Sequence, residues 1–207
     1  MFEQGLYLIL SEPVAGYLPT AQAAVKAQVP VLQLRIKTGE AEEKKAIASE
    51  IRALTAGTNT HFIINDNLAL AMEVDADGLH VGQDDLSIQA VRAQWNQPSK
   101  LIGLSTHNLQ QALVAEEQGA DYIGLGPIYP TQSKLNPDPT IGIEVAGHIL
   151  STLSIPVVAI GGIGLDQMEA LTAEQFRSFA VIGAVNQASD PALAINALQA
   201  RWKSLAF

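Results

Sequence analysis

The segment Gln33-Leu34-Arg35-Ile36-Lys37 alternates polar with apolar residues. In an extended chain, a period of two puts Gln33, Arg35 and Lys37 on one side. A guanidinium fork beside an ammonium suits a diphosphate or a polycarboxylate. The competing reading is a strand edge with solvated charges. Carboxylates follow in Ile64-Asn65-Asp66-Asn67 and in His80-Val81-Gly82-Gln83-Asp84-Asp85. If these two segments are neighbours, Asp66 comes near Asp84 or Asp85. Two such carboxylates, without cysteine or a close histidine pair, suit a hard oxygen-preferring cation such as Mg2+, with a phosphate completing its shell. The same aspartates could instead cap the helices that follow them.

Farther along the chain, Ser105 in Leu104-Ser105-Thr106-His107-Asn108 offers a hydroxyl to an anion. His107 reads either as a general base or as a loop or capping residue, and nothing forms a Ser–His–Asp arrangement. Thr131-Gln132-Ser133-Lys134 crowds two hydroxyls and an ammonium behind Pro130. Gly161-Gly162 and Ile182-Gly183 are places where backbone N–H groups can approach a phosphate closely. Arg35 and Lys37 with the aspartates form one anion-binding group, and Gly162 with Gly183 a second. Two such groups facing one mouth suit two phosphorylated substrates, or one substrate with two phosphate ends.

These residues follow short apolar runs that read as strands: Leu6–Leu10, Val31–Ile36, Phe62–Asn65, Gly78–Val81, Leu101–Ser105, Tyr122–Gly126, Val157–Ile160 and Phe179–Ile182. Helical patterns lie between them, Ala41–Ala56 being the longest. Asn108–Gln118 opens on an N-cap residue and stops at Gly119. Pro191–Leu205 opens on Asp190-Pro191, an N-cap followed by a favoured first helical residue. Several strands are nearly continuous Val, Ile and Leu, as expected of a parallel sheet buried on both faces. Eight βα units in 207 residues give an α/β chain close to the lower size limit of a (β/α)8 TIM barrel. A doubly wound open sheet is the alternative, but no G-x-G-x-x-G follows the first strand. In a barrel the active site lies at the C-terminal strand ends, where all the residues above fall. With no linker, repeat or low-complexity stretch, residues 1–207 read as one domain.

Composition narrows the function. The chain carries 12 Lys and Arg against 21 Asp and Glu, a net charge of −9. A nucleic-acid footprint would be basic and clustered, so no nucleic-acid partner is expected. Any anion must be held by a few placed cations, by backbone N–H groups or by a metal. No apolar run is long enough to span a bilayer, and the start lacks a basic signal-peptide region. Cysteine is absent. A cytoplasmic protein with no membrane partner is expected, and a homo-oligomer is compatible with the sequence.

The motifs LQLRIK, FIINDN, ADGLHVGQDDL, IGLSTHN, ADYIGLGPIYPTQSK and VVAIGGI occur in that order. Together they make the chain resemble the thiamine-phosphate synthase family, almost end to end. The resemblance implies a (β/α)8 barrel that condenses 4-amino-5-hydroxymethyl-2-methylpyrimidine diphosphate with 4-methyl-5-hydroxyethylthiazole phosphate. The products would be thiamine phosphate and diphosphate. It also implies that Gln33, Arg35, Lys37 and Asn65 serve the pyrimidine-diphosphate site, and that Asp66 and Asp85 are Mg2+ ligands. Ser105 and Lys134 match groups around the diphosphate, and Arg35, Lys37, Ser105 and Lys134 would be catalytic. Thr131 and Ser133 match hydroxyls near the thiazole phosphate, which would rest on backbone N–H groups at Gly162, Ile182 and Gly183.

The chain departs from the family pattern in three places. Ser133 stands where many members have Thr. AVIGAV replaces the usual Val/Ile-Ser, so Gly183 lacks a hydroxyl and weaker thiazole-phosphate binding is expected. EQFRSF replaces the GAD that usually precedes the eighth strand. The related thiazole tautomerase would need neither the diphosphate nor the metal residues, and it has His where Pro127 stands here. A non-catalytic barrel that binds thiamine precursors is a further alternative. Residues 135–140 read as a loop over the mouth.

Overall fold

Eight parallel strands close into a barrel in strict chain order, each bonded to its sequence neighbours, in a computed structural model that describes residues 4–131 and 138–205. The strands are β1 (Gly5–Leu10), β2 (Val31–Leu34), β3 (His61–Asn65), β4 (Gly78–Val81), β5 (Leu101–Thr106), β6 (Tyr122–Leu125), β7 (Val157–Ala159) and β8 (Ser178–Val181). The chain is a TIM barrel, and β8 pairs with β1 to close it. Strand β2 stops two residues short of the expected end, so Arg35 and Ile36 lie beyond it. Even so, the Arg35 N–H still bonds to the Leu10 carbonyl at 2.9 Å. Strands β6, β7 and β8 each also end one residue early, which leaves Gly126, Ile160 and Ile182 in the loops that shape the mouth.

Alternation along each strand divides the core in two. Leu6, Leu8 and Leu10 of β1 face outward with Phe62, Ile64, Ile123, Leu125 and Phe179, and pack under the surrounding helices. Tyr7 and Ile9 face inward with Val31, Ile63, Tyr122, Val158 and Ala180. Both faces are apolar because neither meets water. The last helix, Pro191–Leu205, covers the closing seam. Its Trp202 ring lies 4.5 Å, centroid to centroid, from Phe179. Asp190 caps this helix through the Leu193 N–H at 2.9 Å, as its Asp-Pro start foretells.

The N-terminal strand ends are clasped by two equivalent aspartates. Asp77 accepts the Phe62 N–H at 2.8 Å and Arg52 Nη1 at 3.2 Å. Asp121 accepts the Ile102 N–H at 2.6 Å and Arg92 Nη2 at 2.5 Å. Each ties the second residue of one strand to an arginine on a helix. Before β8 the equivalent residue is Arg177, and the tie is different: Ser178 Oγ accepts the Gly5 N–H at 3.4 Å. Asp121→Ala strips one N–H and one guanidinium of their acceptor, which should cost about 2 kcal/mol. In a chain of this size that is a fall of roughly 4–8 °C in Tm. Calorimetry checks this, and turnover at low temperature should be retained, because Asp121 lies at the end of the barrel opposite the mouth.

Candidate active site

A cavity of about 580 Å3 opens at the C-terminal strand ends. Of the residues singled out from sequence, Ser105, Thr131, Gly162, Ile182 and Gly183 line it. His107 and Asp138 line it as well, together with Ser11 and Asn186, which sequence reasoning passed over. Ser133 and Lys134 lie outside the described residues, as do 135–137 of the expected mouth loop.

Gln33, Arg35 and Lys37 each engage a different partner. Gln33 is buried within the barrel and donates to the Tyr7 hydroxyl at 2.8 Å. Arg35 is half-buried and donates to Ser11 Oγ at 3.0 Å. Lys37 is exposed and pairs with Asp66 at 2.6 Å. The strand ends at Leu34, so Arg35 and Lys37 lie in the loop beyond it. Ser11 then passes the connection on: its N–H bonds Asn186 Oδ1 at 3.1 Å. Asn186 is buried and donates to the Ile9 and Ile182 carbonyls at 2.7 and 2.6 Å. The loops after β2, β1 and β8 are thereby joined around the rim.

The carboxylates are free of helix-capping duty. The helix Leu68–Glu73 is capped by Asn67, and the helix Ile88–Gln94 by Ser87. Asp66 adopts φ +60°, and its backbone N–H bonds the His80 carbonyl at 2.8 Å, joining the ends of β3 and β4. Asp85 folds back so that Oδ2 accepts the Gly82 N–H at 2.8 Å. Asn65 ends β3 in register with His80 on β4. No cluster of three acidic or histidine side chains able to hold a metal forms among the described residues. Two carboxylates at adjacent strand ends nevertheless fit Mg2+, which commonly takes one or two protein carboxylates and completes its octahedron with water and substrate phosphate.

His107 lies in the loop after β5, and both of its ring nitrogens are engaged. Its Nδ1 meets the Gly126 carbonyl at 2.5 Å and must donate, since a carbonyl only accepts. Its Nε2 lies 3.3 Å from the Asp138 carboxylate. The ring thus links the end of β5 to the loops after β6. Those loops also run close to the one after β7: the Ile128 and Tyr129 N–H groups bond the carbonyls of Ile160 and Gly161 at 2.8 and 3.1 Å.

A polar chain crosses the barrel interior below the mouth. The Tyr7 and Tyr122 hydroxyls lie 2.9 Å apart, Tyr122 meets His80 Nδ1 at 3.1 Å, and His80 Nε2 meets Ser105 Oγ at 3.0 Å. Burial pushes the pKa of both tyrosines upward, so both keep their protons as donors. A tyrosine on the inward face of a barrel strand needs a polar partner, and that was the available sequence signal.

The profile of a family described as thiamine monophosphate synthase matches residues 6–185. The chain belongs to the thiamine monophosphate synthase family. A thiamine-phosphate synthase of Methanospirillum hungatei is 39% identical over 92% of this chain and 93% of its own. One from Desulfitobacterium hafniense is 36% identical over 98% and 99%. The solved thiamine phosphate pyrophosphorylase of Pyrococcus furiosus superposes with a TM-score of 0.88 at 32% identity, covering 98% of this chain and 96% of that one. Membership makes the chain a thiamine-phosphate synthase-type enzyme and gives its cavity a chemical context. No helix among the described residues is long and apolar enough to cross a membrane.

Proposed function

We propose that the enzyme joins the pyrimidine diphosphate named above to the thiazole phosphate, with Mg2+, and releases thiamine phosphate and diphosphate. The observation that carries this reading is the division of the mouth. The aspartates and Lys37 stand at the ends of β2 to β4, while Thr131, Gly162 and Gly183 line a cavity across from them. One region suits a diphosphate with its cation, and the other a monophosphate.

The bond between the pyrimidine CH2 and the diphosphate oxygen breaks, and its electron pair leaves with the diphosphate. The thiazole nitrogen lone pair then forms the new C–N bond. The nitrogen carries no hydrogen to lose, so no strong general base is required, and no Ser–His–Asp arrangement is expected. Arg35, Lys37 and Lys134 oppose the charge of the leaving group, and Ser105 donates to it. Bound Mg2+ would neutralise developing charge on the diphosphate, held by Asp66 and Asp85. Gln33 and Asn65 orient the pyrimidine, which puts the CH2 in line with the thiazole nitrogen. Thr131, Ser133 and backbone N–H groups at Gly162, Ile182 and Gly183 hold the thiazole phosphate.

Purified enzyme incubated with both substrates and Mg2+ should yield thiamine phosphate by mass, and EDTA should abolish it. Absence of product from folded enzyme would overturn the reading. A second test concerns Gly183. A Cβ there meets only the Gln187 side chain, at 3.7 Å, so Gly183→Ser fits without strain. One added hydrogen bond to the phosphate should lower the KM for thiazole phosphate roughly threefold, with kcat unchanged. An unchanged KM would mean that the site lacks no hydroxyl.

A further inference from the structure

We propose that His80 is a positioning residue that acts through Ser105, and that it is itself held from the opposite wall of the barrel. This deepens the synthase reading and rests on it for its kinetic arm. The contacts run from Gln33 on β2 through Tyr7 on β1 and Tyr122 on β6 to His80 on β4 and Ser105 on β5, with successive separations of 2.8, 2.9, 3.1 and 3.0 Å. Five strands of a closed barrel are thereby linked across its interior rather than around its wall.

The geometry around the ring is built for this. Tyr122 and His80 lie 5.5 Å apart, centroid to centroid, tilted by 33°. A Cβ on Gly103, between them in register, would collide with the Tyr122 ring and with His80 Nδ1. Glycine at 103 therefore makes the room that the Tyr122–His80 contact occupies. His80 is 9% exposed, and Ser105 stands at the cavity wall. An imidazole so placed has few orientations, and it fixes the hydroxyl it touches.

The hydroxyl and ring contacts admit either sense, and we assign the one that begins at the Gln33 amide. The Gln33 amide nitrogen can only donate, so it enters the Tyr7 oxygen as a donor. Continued in that sense, Tyr7 donates to Tyr122 and Tyr122 to His80 Nδ1. His80 is then the neutral Nε2–H tautomer and donates to Ser105. The Ser105 hydroxyl hydrogen is left to point into the cavity, toward a substrate oxygen. In the reverse sense Ser105 would spend that hydrogen on His80.

Two measurements test this. In the wild-type protein without substrate, the ring 15N shifts of His80 should show a bare Nδ1 and a protonated Nε2. The opposite tautomer would overturn the proposal. In steady-state kinetics, His80→Asn should lower kcat about 30-fold, while His80→Gln, which can place a donor near the former Nε2, should recover most of it. In a Ser105→Ala background, His80→Asn should cost less than about twofold, because the two residues act as one unit. Additive losses at equal Tm would overturn the proposal and leave His80 a core residue only. If the wild type makes no thiamine phosphate, the synthase reading fails, and the ring nitrogens still decide the relay.

Discussion

Asp85→Asn is expected to lower kcat at least a hundredfold and leave the fold intact. Asparagine is nearly isosteric, and its carbonyl oxygen can still accept the Gly82 N–H that Asp85 takes at 2.8 Å. The turn after β4 therefore survives, and only the negative charge is lost. That charge is what a hard cation requires, and neutral amides are weaker ligands for Mg2+. Charge stabilisation at a leaving diphosphate contributes several kcal/mol, and about 2.7 kcal/mol already corresponds to a hundredfold. Kinetics across a Mg2+ titration, with a melting curve for each protein, check the prediction. A kcat restored to the wild-type value at high Mg2+ would move the role to exposed Asp84. The same change at Asp66 is a poorer test, since it would also break the 2.6 Å pair with Lys37.

The Lys37–Asp66 pair marks the limit of what the sequence makes legible. Short, nearly continuous runs of Val, Ile and Leu mark eight parallel strands, and Asn108 and Asp190 identify helix starts that the structure keeps. They place the strand ends only to within one or two residues and do not name the partners of the residues beyond. Asp66 at φ +60° and the early end of β2 send Arg35 and Lys37 to different partners. Capping is a local matter, yet Asn67 and Ser87 take it from the neighbouring aspartates. Aspartate, asparagine and serine all cap helices well, and each pair of candidates differs in position by only one or two, so composition alone could not choose. The interior chain was hidden for another reason. Both faces of a barrel strand are apolar, so alternation does not say which one encloses Tyr7 and Tyr122.

Gly162→Ala is expected to lower kcat/KM for thiazole phosphate by about a hundredfold. Gly162 has φ +63°, a conformation that costs an L-residue about 1–2 kcal/mol. Space is the larger difficulty. A Cβ there would run into the Pro130 carbonyl oxygen and lie 2.8 Å from Tyr129 Cβ. Part of the obstacle is backbone, which cannot rotate away as a side-chain tip can. The Tyr129 N–H is bonded to the Gly161 carbonyl at 3.1 Å, so the two loops are already drawn together. Relief must come from separating them, and the loop that moves carries Thr131 into the cavity. The expected signature is a raised KM for thiazole phosphate, with the KM for the pyrimidine diphosphate much less affected. Gly183→Ser sits in the same cavity with open space and carries the opposite expectation. Equal losses for both substrates would mean that the substitution disturbs the barrel as a whole, whereas a selective loss ties the β7 loop to the monophosphate.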